Sequence, residues 1–371
     1  MRGAFVILLL VLTIDLQCVL QSTSSSGVSN SRDDRNSDQN QYVNSSVNLN
    51  EASVPKRKLK SLVALIFSNK TRKNVDLPPS NMGTLAACRW LKGYKKQMQQ
   101  CLDRRGFAKV LQDARKLAVT QCRNLFSFDR WDCTKLHNSM FKKVYRETSF
   151  MQAITASALM FSVAKACSDG KLQSCYCLVR PKRENTKWHG VGCADNTKVA
   201  RRITRRFLIE NGGQLAESGL KQNQKQDIYK NNINVGLETV EQHKKNVCVC
   251  HGVSASCTLK TCWKIINRNF TTIALSLKAK YSSAHFYKPE WKDKKNEMVK
   301  NLVYLEQSPN FCNMTRGRRC KDHSHCATLC CGRGSLEKNV IVNGRCNCKW
   351  NNELILGCEL CKINETHFIC K

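Results

Sequence analysis

Apolar residues recur at helical spacing in three stretches of the chain. Within residues 107–122 they lie three or four positions apart, which places them on one face of a helix. Residues 148–166 are apolar on nearly all sides, a pattern that fits either a buried central helix or a membrane span. Gln152 and Lys165 interrupt the stretch and favour the buried helix. Residues 198–210 are predicted to form a third helix with one strongly basic face.

After Cys248 the helical pattern fades, and short segments between closely spaced cysteines replace it. Residues 308–371 carry ten cysteines, a density that predicts β-hairpins held by disulfides around a core too small to be stable alone. A charged segment at 278–307 is predicted to be a linker. The chain is therefore predicted to be an α+β protein. It would have a helical domain at 81–277 and a small cysteine-rich β-hairpin domain at 308–371.

The N-terminus has the pattern of a secretory signal. Arg2 precedes a short apolar run at residues 5–14, which is too short for a bilayer core that needs about 20 residues. A signal peptide is placed at 1–24 with an approximate cleavage site; an uncleaved anchor is the alternative. Residues 25–80 are predicted to be mostly disordered or basic. Residues from about 22 to 55 have too little apolar surface to offset the cost of ordering, and residues 56–73 are basic with an apolar middle at residues 62–67.

The cysteines predict an oxidised, extracellular protein. The chain has 23, and all but Cys18 lie between Cys88 and Cys370, leaving 22 after signal removal. An even number in an exported chain predicts a disulfide framework in the extracellular space or matrix. Some spacings near the C-terminus would suit zinc in isolation, but export oxidises thiols. Neither a metal nor a cofactor is therefore predicted.

The net charge of +33 predicts acidic partners. For an exported chain these are heparan sulfate and anionic membrane surfaces rather than nucleic acid. Any one basic cluster can equally be a solvated face. The clusters are Arg201, Arg202, Arg205 and Arg206; Lys292, Lys294 and Lys295; and Arg316, Arg318 and Arg319. Five sequons are candidate glycosylation sites: Asn44, Asn69, Asn269, Asn313 and Asn364.

The segment Cys248-Val-Cys-His-Gly-Val-Ser-Ala-Ser-Cys257, followed by Cys262, holds the most informative cysteines. Four cysteines allow three connectivities. The nested one, Cys250 with Cys257 inside Cys248 with Cys262, would make a hairpin with residues 251–256 at its tip. Because the two pairs do not share one register, we expect a bulge or bend. Gly252 suits a tight, exposed turn.

This segment resembles the signature of Wnt proteins. Five further motifs occur before and after it along the chain, in the same order as in the family. The resemblance extends over about residues 88–370. The motifs are Arg130-Trp-Asp-Cys133; Arg146-Glu-Thr-Ser-Phe150 with Ala166-Cys-Ser-Asp-Gly-Lys-Leu-Gln-Ser-Cys-Tyr-Cys177; Gly192-Cys-Ala-Asp-Asn196; Tyr304-Leu-Glu-Gln-Ser-Pro-Asn-Phe-Cys312; and Leu329-Cys-Cys-Gly-Arg-Gly334.

The resemblance implies that Ser254 carries an ester-linked monounsaturated fatty acyl group, attached by the acyltransferase Porcupine. Ser256 is the alternative, but it adjoins Cys257. This chain has Ala255 where the family has glycine, and the extra methyl can restrict the turn or the transferase. The serine is also one residue away from a G-x-S-x-G nucleophile elbow. No alternating strand and helix pattern surrounds it, so the protein is not predicted to be an enzyme.

A second hairpin is predicted near the C-terminus. Nested pairing of Cys348 with Cys358 inside Cys346 with Cys361 fits a hairpin with at most one bulge. Its apolar tip would either contact a receptor or fold back on the hairpin. The family usually has two adjacent cysteines where Glu353 and Leu354 stand here. The apolar tip residues are Trp350, Leu354, Ile355 and Leu356.

The resemblance also implies most of the remaining disulfides. Cys88 and Cys101 are left over and are expected to pair with each other. The pairs implied by family order are Cys122–Cys133, Cys167–Cys175, Cys177–Cys193, Cys312–Cys331, Cys320–Cys326 and Cys330–Cys370.

By resemblance, the chain is a secreted morphogen that activates Wnt signalling. It would bind the cysteine-rich domain of Frizzled through His251, Gly252, Val253 and acylated Ser254, and through the second tip. The other implied partners are a low-density-lipoprotein-receptor-related co-receptor, the carrier Wntless, and the membrane surface reached through the lipid. Two alternatives stay open: a heparin-binding growth factor acting through charge alone, and a secreted hydrolase.

Overall fold

The computed structural model describes residues 62–67, 88–91, 94–173, 175–176, 178–179, 193–210, 220–288, 300–350 and 356–371. Its α-helices are α1 (Leu62–Phe67), α2 (Lys95–Asp103), α3 (Phe107–Leu125), α4 (Arg146–Ser168), α5 (Thr197–Arg205), α6 (Leu220–Gln242), α7 (Phe270–Ser282) and α8 (His323–Leu329). A π-helical turn at Arg206–Glu210 continues α5.

The strands form separate two-stranded sheets. They are β1 (Leu178–Val179), β2 (Cys193–Ala194), β3 (Lys244–Cys250), β4 (Lys260–Ile266), β5 (His285–Phe286), β6 (Val303–Tyr304), β7 (Ser335–Trp350) and β8 (Leu356–Cys370). The pairs are β1–β2, β3–β4, β5–β6 and β7–β8. The pair β5–β6 is parallel and the other three are antiparallel. Helices α1 to α7 share one hydrophobic core, and α8 packs in a separate small cluster with the cysteine-rich region. The predicted α+β class is confirmed.

Helix α4 is the centre of this core. Its apolar side chains, such as Phe150, Ile154 and Met160, are fully buried, and α3, α5, α6 and α7 pack around it. By length and composition α4 could cross a membrane, but 83% of its most apolar window is buried inside the protein. The buried central helix predicted for residues 148–166 is therefore confirmed, as is the helix predicted for residues 107–122.

A glycine sets the contact between α4 and α6. A Cβ on Gly236 would overlap the backbone carbonyl of Ala153. The hydroxyl of Ser157 donates a hydrogen bond to the carbonyl oxygen of Gly236 at 2.7 Å. The two backbones approach so closely that only a hydrogen atom fits at position 236.

Gly236→Ala is therefore expected to lower the free energy of unfolding by about 2 kcal/mol, because the added methyl forces the helices apart. Urea unfolding with the disulfides intact, followed by circular dichroism, measures this. Asn223→Ala, at an exposed position of the same helix, is the control and should change the value by less than about 0.5 kcal/mol. Equal values for the two variants would contradict the close approach.

Helix α1 lies within the segment predicted to be mostly disordered. Five of its six apolar residues are buried, and it packs against α3 and α4. Nε of Arg115 donates to the carbonyl oxygen of Ile66 at 2.8 Å. The apolar middle noted at 62–67 is thus an ordered helix, which was not predicted; its burial gains more free energy than its ordering costs. The other residues of that segment lie outside the described part.

Helix α7 extends past the predicted start of the linker at 278 and ends at Ser282, with Phe270 and Leu277 buried. Further on, β6 is buried against α4 and α6. Asn232 exchanges two hydrogen bonds of 3.0 Å with the backbone of Val303. The linker prediction is therefore wrong at 278–282, which end α7, and at 303–304, which pack against α4 and α6. Residues 289–299 lie outside the described part.

Arg318 attaches the cysteine-rich region to the helical core. Its Nη1 donates to the carbonyl oxygen of Trp131 at 2.9 Å, and its Nη2 donates to those of Phe126 and Ser127 at 2.7 Å each. The carbonyls of Phe126 and Ser127 directly follow α3, and that of Trp131 lies in the loop beyond it. Burial lowers the pKa of the Arg318 guanidinium, which nevertheless stays charged at neutral pH.

The described residues contain ten disulfides, and each one matches an expected pair. Cys177 lies outside the described part, so its expected pair with Cys193 stays a prediction. The sulfurs of Cys320, Cys330 and Cys370 lie close together, but each is bonded in a disulfide and offers no thiolate to a metal. The disulfides are Cys88–Cys101, Cys122–Cys133, Cys167–Cys175, Cys248–Cys262, Cys250–Cys257, Cys312–Cys331, Cys320–Cys326, Cys330–Cys370, Cys346–Cys361 and Cys348–Cys358.

Candidate functional site at two hairpin tips

The first hairpin, β3–β4, is a regular antiparallel ladder without a register shift. Cys248 lies directly opposite Cys262 and is bonded to it. Cys250 is bonded to Cys257, which lies in the tip before β4 begins. The nested pairing is therefore confirmed. The expected bulge or bend does not occur in the β3–β4 ladder, because the second disulfide lies in the tip and is not a rung of the ladder; the chain bends in the tip instead.

A buried carboxylate holds the base of this hairpin. The Asp195 side chain is 1% exposed and accepts hydrogen bonds from the backbone N–H of Ile266 at 2.7 Å and from the hydroxyl of Ser168. It also pairs with Nη2 of Arg268 at 3.1 Å. The Asp195 N–H donates to the carbonyl oxygen of Lys264 at 3.2 Å. Asp195 thus ties β4 to the end of α4, a role that its place in the 192–196 motif did not reveal.

Backbone hydrogen bonds close the tip. The His251 N–H donates to the carbonyl oxygen of Leu259 at 2.7 Å, and the Gly252 N–H to that of Ser256 at 2.9 Å. The Ser256 N–H donates in turn to the carbonyl oxygen of Val253 at 3.1 Å. A Cβ on Gly252 would overlap the hydroxyl and carbonyl of Ser256. Glycine is required there by close contact, since its φ of −70° is open to any residue.

The two serines of the tip differ in their surroundings. Both are exposed. The Ser256 hydroxyl lies 3.0 Å from the Thr258 hydroxyl and forms a hydrogen bond with it. In the part of the chain that the structure describes, the Ser254 hydroxyl has no hydrogen-bond partner. Ser254 therefore offers the hydroxyl without a competing hydrogen bond, beside Val253, which is 89% exposed.

The backbone at Ser254 and Ala255 is left-handed, with φ of 53° and 60°. This conformation costs a residue with a Cβ roughly 1–2 kcal/mol, whereas glycine adopts it readily. A glycine at 255, as the family resemblance implies, would remove this cost at one of the two positions. The methyl of Ala255 therefore strains the turn that presents Ser254.

Ala255→Gly is accordingly expected to raise the free energy of unfolding by about 0.5–1 kcal/mol. The shift in thermal midpoint, with disulfides intact, measures this. Val253→Gly is the matched control, because Val253 is equally exposed in the tip but has no positive φ. That variant should be neutral or less stable, and a stabilisation of both variants would contradict the strain at 255.

The hairpin is strongly cationic. Residues 244–268 contain no Asp or Glu. Arg268 is paired with Asp195, but within the described residues the hairpin lysines form no ion pair. The hairpin therefore presents positive charge without local compensation, which favours anionic partners. These lysines are Lys244, Lys245, Lys260 and Lys264.

The second hairpin, β7–β8, has one register shift, between Cys346 and Lys349, where Asn347 has a φ of 48°. The prediction of at most one bulge is therefore confirmed. Trp350 is 68% exposed and Leu356 is 49% exposed, so neither folds back onto the hairpin. The remaining tip residues, including Glu353, Leu354 and Ile355, lie outside the described part.

Comparison with known proteins agrees with this arrangement. A sequence model described as the wnt family matches residues 90–371. The chain belongs to the Wnt family. Wnt proteins are secreted signalling ligands, so the chain is assigned to that class.

Several Wnt proteins are similar over much of the chain. Wnt-4 of Drosophila melanogaster is 36% identical over 310 residues, covering 76% of this chain but only 56% of that protein. Wnt-9a of Gallus gallus is 31% identical over 312 residues, covering 76% of this chain and 86% of the relative. A chain in the solved structure of human WLS in complex with WNT8A has a TM-score of 0.53 and 26% identity. The match covers 71% of this chain and 94% of that one, which supports the Wnt fold.

Proposed function

We propose that this Wnt-family chain signals by binding the extracellular cysteine-rich domain of a Frizzled receptor at both hairpin tips. The observation that carries the proposal is the exposed Ser254 hydroxyl, held at the end of a ribbon braced by two disulfides. The first contact would comprise His251, Gly252, Val253 and a monounsaturated fatty acyl group on Ser254. The second would comprise Trp350, Leu354, Ile355 and Leu356.

The acyl group supplies most of the binding free energy in this proposal. Ten or more buried methylenes at about 0.8 kcal/mol each contribute roughly 8 kcal/mol. The second tip adds a contact whose effective concentration is raised once the first is made. The exposed acyl group makes the free ligand poorly soluble, so a carrier protein is needed. The likeness to the structure of human WLS with WNT8A supports Wntless as that carrier.

The other partners follow from the same chemistry. Porcupine would acylate Ser254, and a low-density-lipoprotein-receptor-related protein would act as co-receptor. The charge of +33 supports attraction to heparan sulfate in the extracellular matrix. Three sequon asparagines are exposed and can carry glycans: Asn269, Asn313 and Asn364. Asn44 and Asn69 lie outside the described part and stay predictions.

Mass spectrometry of the peptide spanning Cys250 to Lys260 from secreted, active protein tests this proposal. We expect the added mass of one monounsaturated fatty acyl group, localised to Ser254 by fragmentation. An active ligand whose tip carries no acyl group would overturn the mechanism and favour a growth factor acting through charge alone. Turnover of a simple ester by the purified protein would instead favour the hydrolase alternative.

A further inference from the structure

The tip of the first hairpin combines an apolar end with a cationic stem. Val253, Val249 and Leu259 are 89%, 45% and 38% exposed, respectively. Lys260 follows Leu259 directly and is exposed, and Lys264 is exposed further along β4. The order along the ribbon is therefore apolar tip first and positive charge behind it.

This order matches the depth profile of an anionic lipid surface. Apolar side chains gain free energy on entering the acyl region, whereas lysines bind the phosphate and carboxylate groups above it. Lys260 lies opposite Cys250 on the rung nearest the tip, which places it near headgroup depth, whereas Lys264 lies opposite Asn246, about 14 Å further along the stem. No acidic residue between 244 and 268 opposes the attraction. A sulfated glycan would engage the lysines but would leave Val253 in water.

We propose that this tip inserts into anionic membrane surfaces through its own side chains, independently of the acyl group. The inference concerns the same tip as the proposed function and extends it. A single acyl chain gives only marginal membrane attachment, so a lipidated ligand needs a second signal. Val253, Val249 and Lys260 provide that signal. Because the same tip would enter the receptor, membrane binding and receptor binding compete.

The hairpin contains its own control. Lys244 and Lys245 lie at the other end of β3, about 20 Å along the ribbon from the rung at Lys260. That distance exceeds the Debye length of about 10 Å at 0.1 M salt. Lys264, opposite Asn246, lies beside this distal pair. Neutralising Lys244 and Lys245 removes twice the charge that neutralising Lys260 removes, but far from the inserted end.

The test uses the full-length secreted chain with Ser254→Ala, which carries no acyl group at that position. Its binding to vesicles of phosphatidylcholine alone is compared with binding to mixed phosphatidylcholine and phosphatidylserine vesicles. We expect at least tenfold preference for the mixed vesicles. Added Lys260→Gln should weaken binding about fivefold, whereas Lys264→Gln, at the level of Asn246, should weaken it less than twofold. Val253→Ser should weaken it about tenfold, and the Lys244→Gln/Lys245→Gln pair less than twofold.

Equal binding of the Ser254→Ala chain to both kinds of vesicle would overturn the proposal. An unchanged affinity for Val253→Ser would do so as well, because binding would then be electrostatic without insertion. Peptide mapping of the Cys250–Cys257 disulfide confirms that each variant is folded at the tip. Since every protein in the series lacks the acyl group, a failure here leaves the mass-spectrometric test of acylation unaffected, and the reverse also holds.

Discussion

Ser254→Ala is expected to weaken binding to the Frizzled cysteine-rich domain by more than a thousandfold. The variant has no hydroxyl to esterify, so it loses an acyl chain whose burial contributes roughly 8 kcal/mol. A thousandfold change corresponds to about 4 kcal/mol, which leaves room for imperfect burial of the chain. Biolayer interferometry of purified, detergent-matched proteins on the immobilised receptor domain measures the change.

Ser256→Ala is the matched control for this result. It removes a hydroxyl from the same tip, together with its hydrogen bond to Thr258, which is worth about 1 kcal/mol. It leaves Ser254 available, so receptor affinity should fall less than tenfold. If the two variants exchanged these outcomes, the acylated residue would be Ser256. If both kept their affinity, the acyl group would not be the main contact.

The helices that the sequence predicts most closely are those with a clear apolar pattern, even though α4 also buries polar side chains such as Thr155 and Ser157. Residues 107–122 and 148–166 are such cases, and α3 and α4 follow them closely. Helix α6 was not predicted from the sequence, because its buried positions include polar residues that interrupt the apolar pattern. Asn232 is fully buried and is hydrogen-bonded to Gln152 and Val303. Only a tertiary partner makes such a burial favourable, and hydropathy along one segment contains no information about that partner.

Some features of the candidate site could likewise be predicted from the sequence, and others could not. Cysteine spacing limits the possible hairpins strongly, because a disulfide needs its two Cα atoms within about 7 Å. Both braced hairpins were therefore predictable. The left-handed φ of Ala255 was not, since it depends on how the Cys250–Cys257 bridge closes the tip. The role of Asp195 was hidden as well, because its partners Ser168 and Ile266 are distant in sequence.

Asp195→Ala is expected to lower the free energy of unfolding by about 3–4 kcal/mol. It leaves the N–H of the buried Ile266 without an acceptor and the Arg268 guanidinium without its carboxylate. Asp195→Asn keeps an acceptor of the same shape but loses the charge, so it should lose about half as much. Urea unfolding with intact disulfides measures the stability, and hydrogen exchange at Ile266 measures the opening of the hairpin base.

Asp169→Ala provides the control, because Asp169 pairs with Lys171 at the surface, where an ion pair contributes less than about 1 kcal/mol. If Asp195→Ala and Asp169→Ala lowered the free energy of unfolding equally, Asp195 would not stabilise the base of the hairpin more than a surface ion pair does. The expected difference has a consequence for signalling. A hairpin that detaches at its base can still carry the acyl group, but it no longer holds that group in a fixed position relative to the second tip. Asp195→Ala should therefore reduce receptor affinity even in the fraction that is folded and acylated, because the two contacts then cease to reinforce each other.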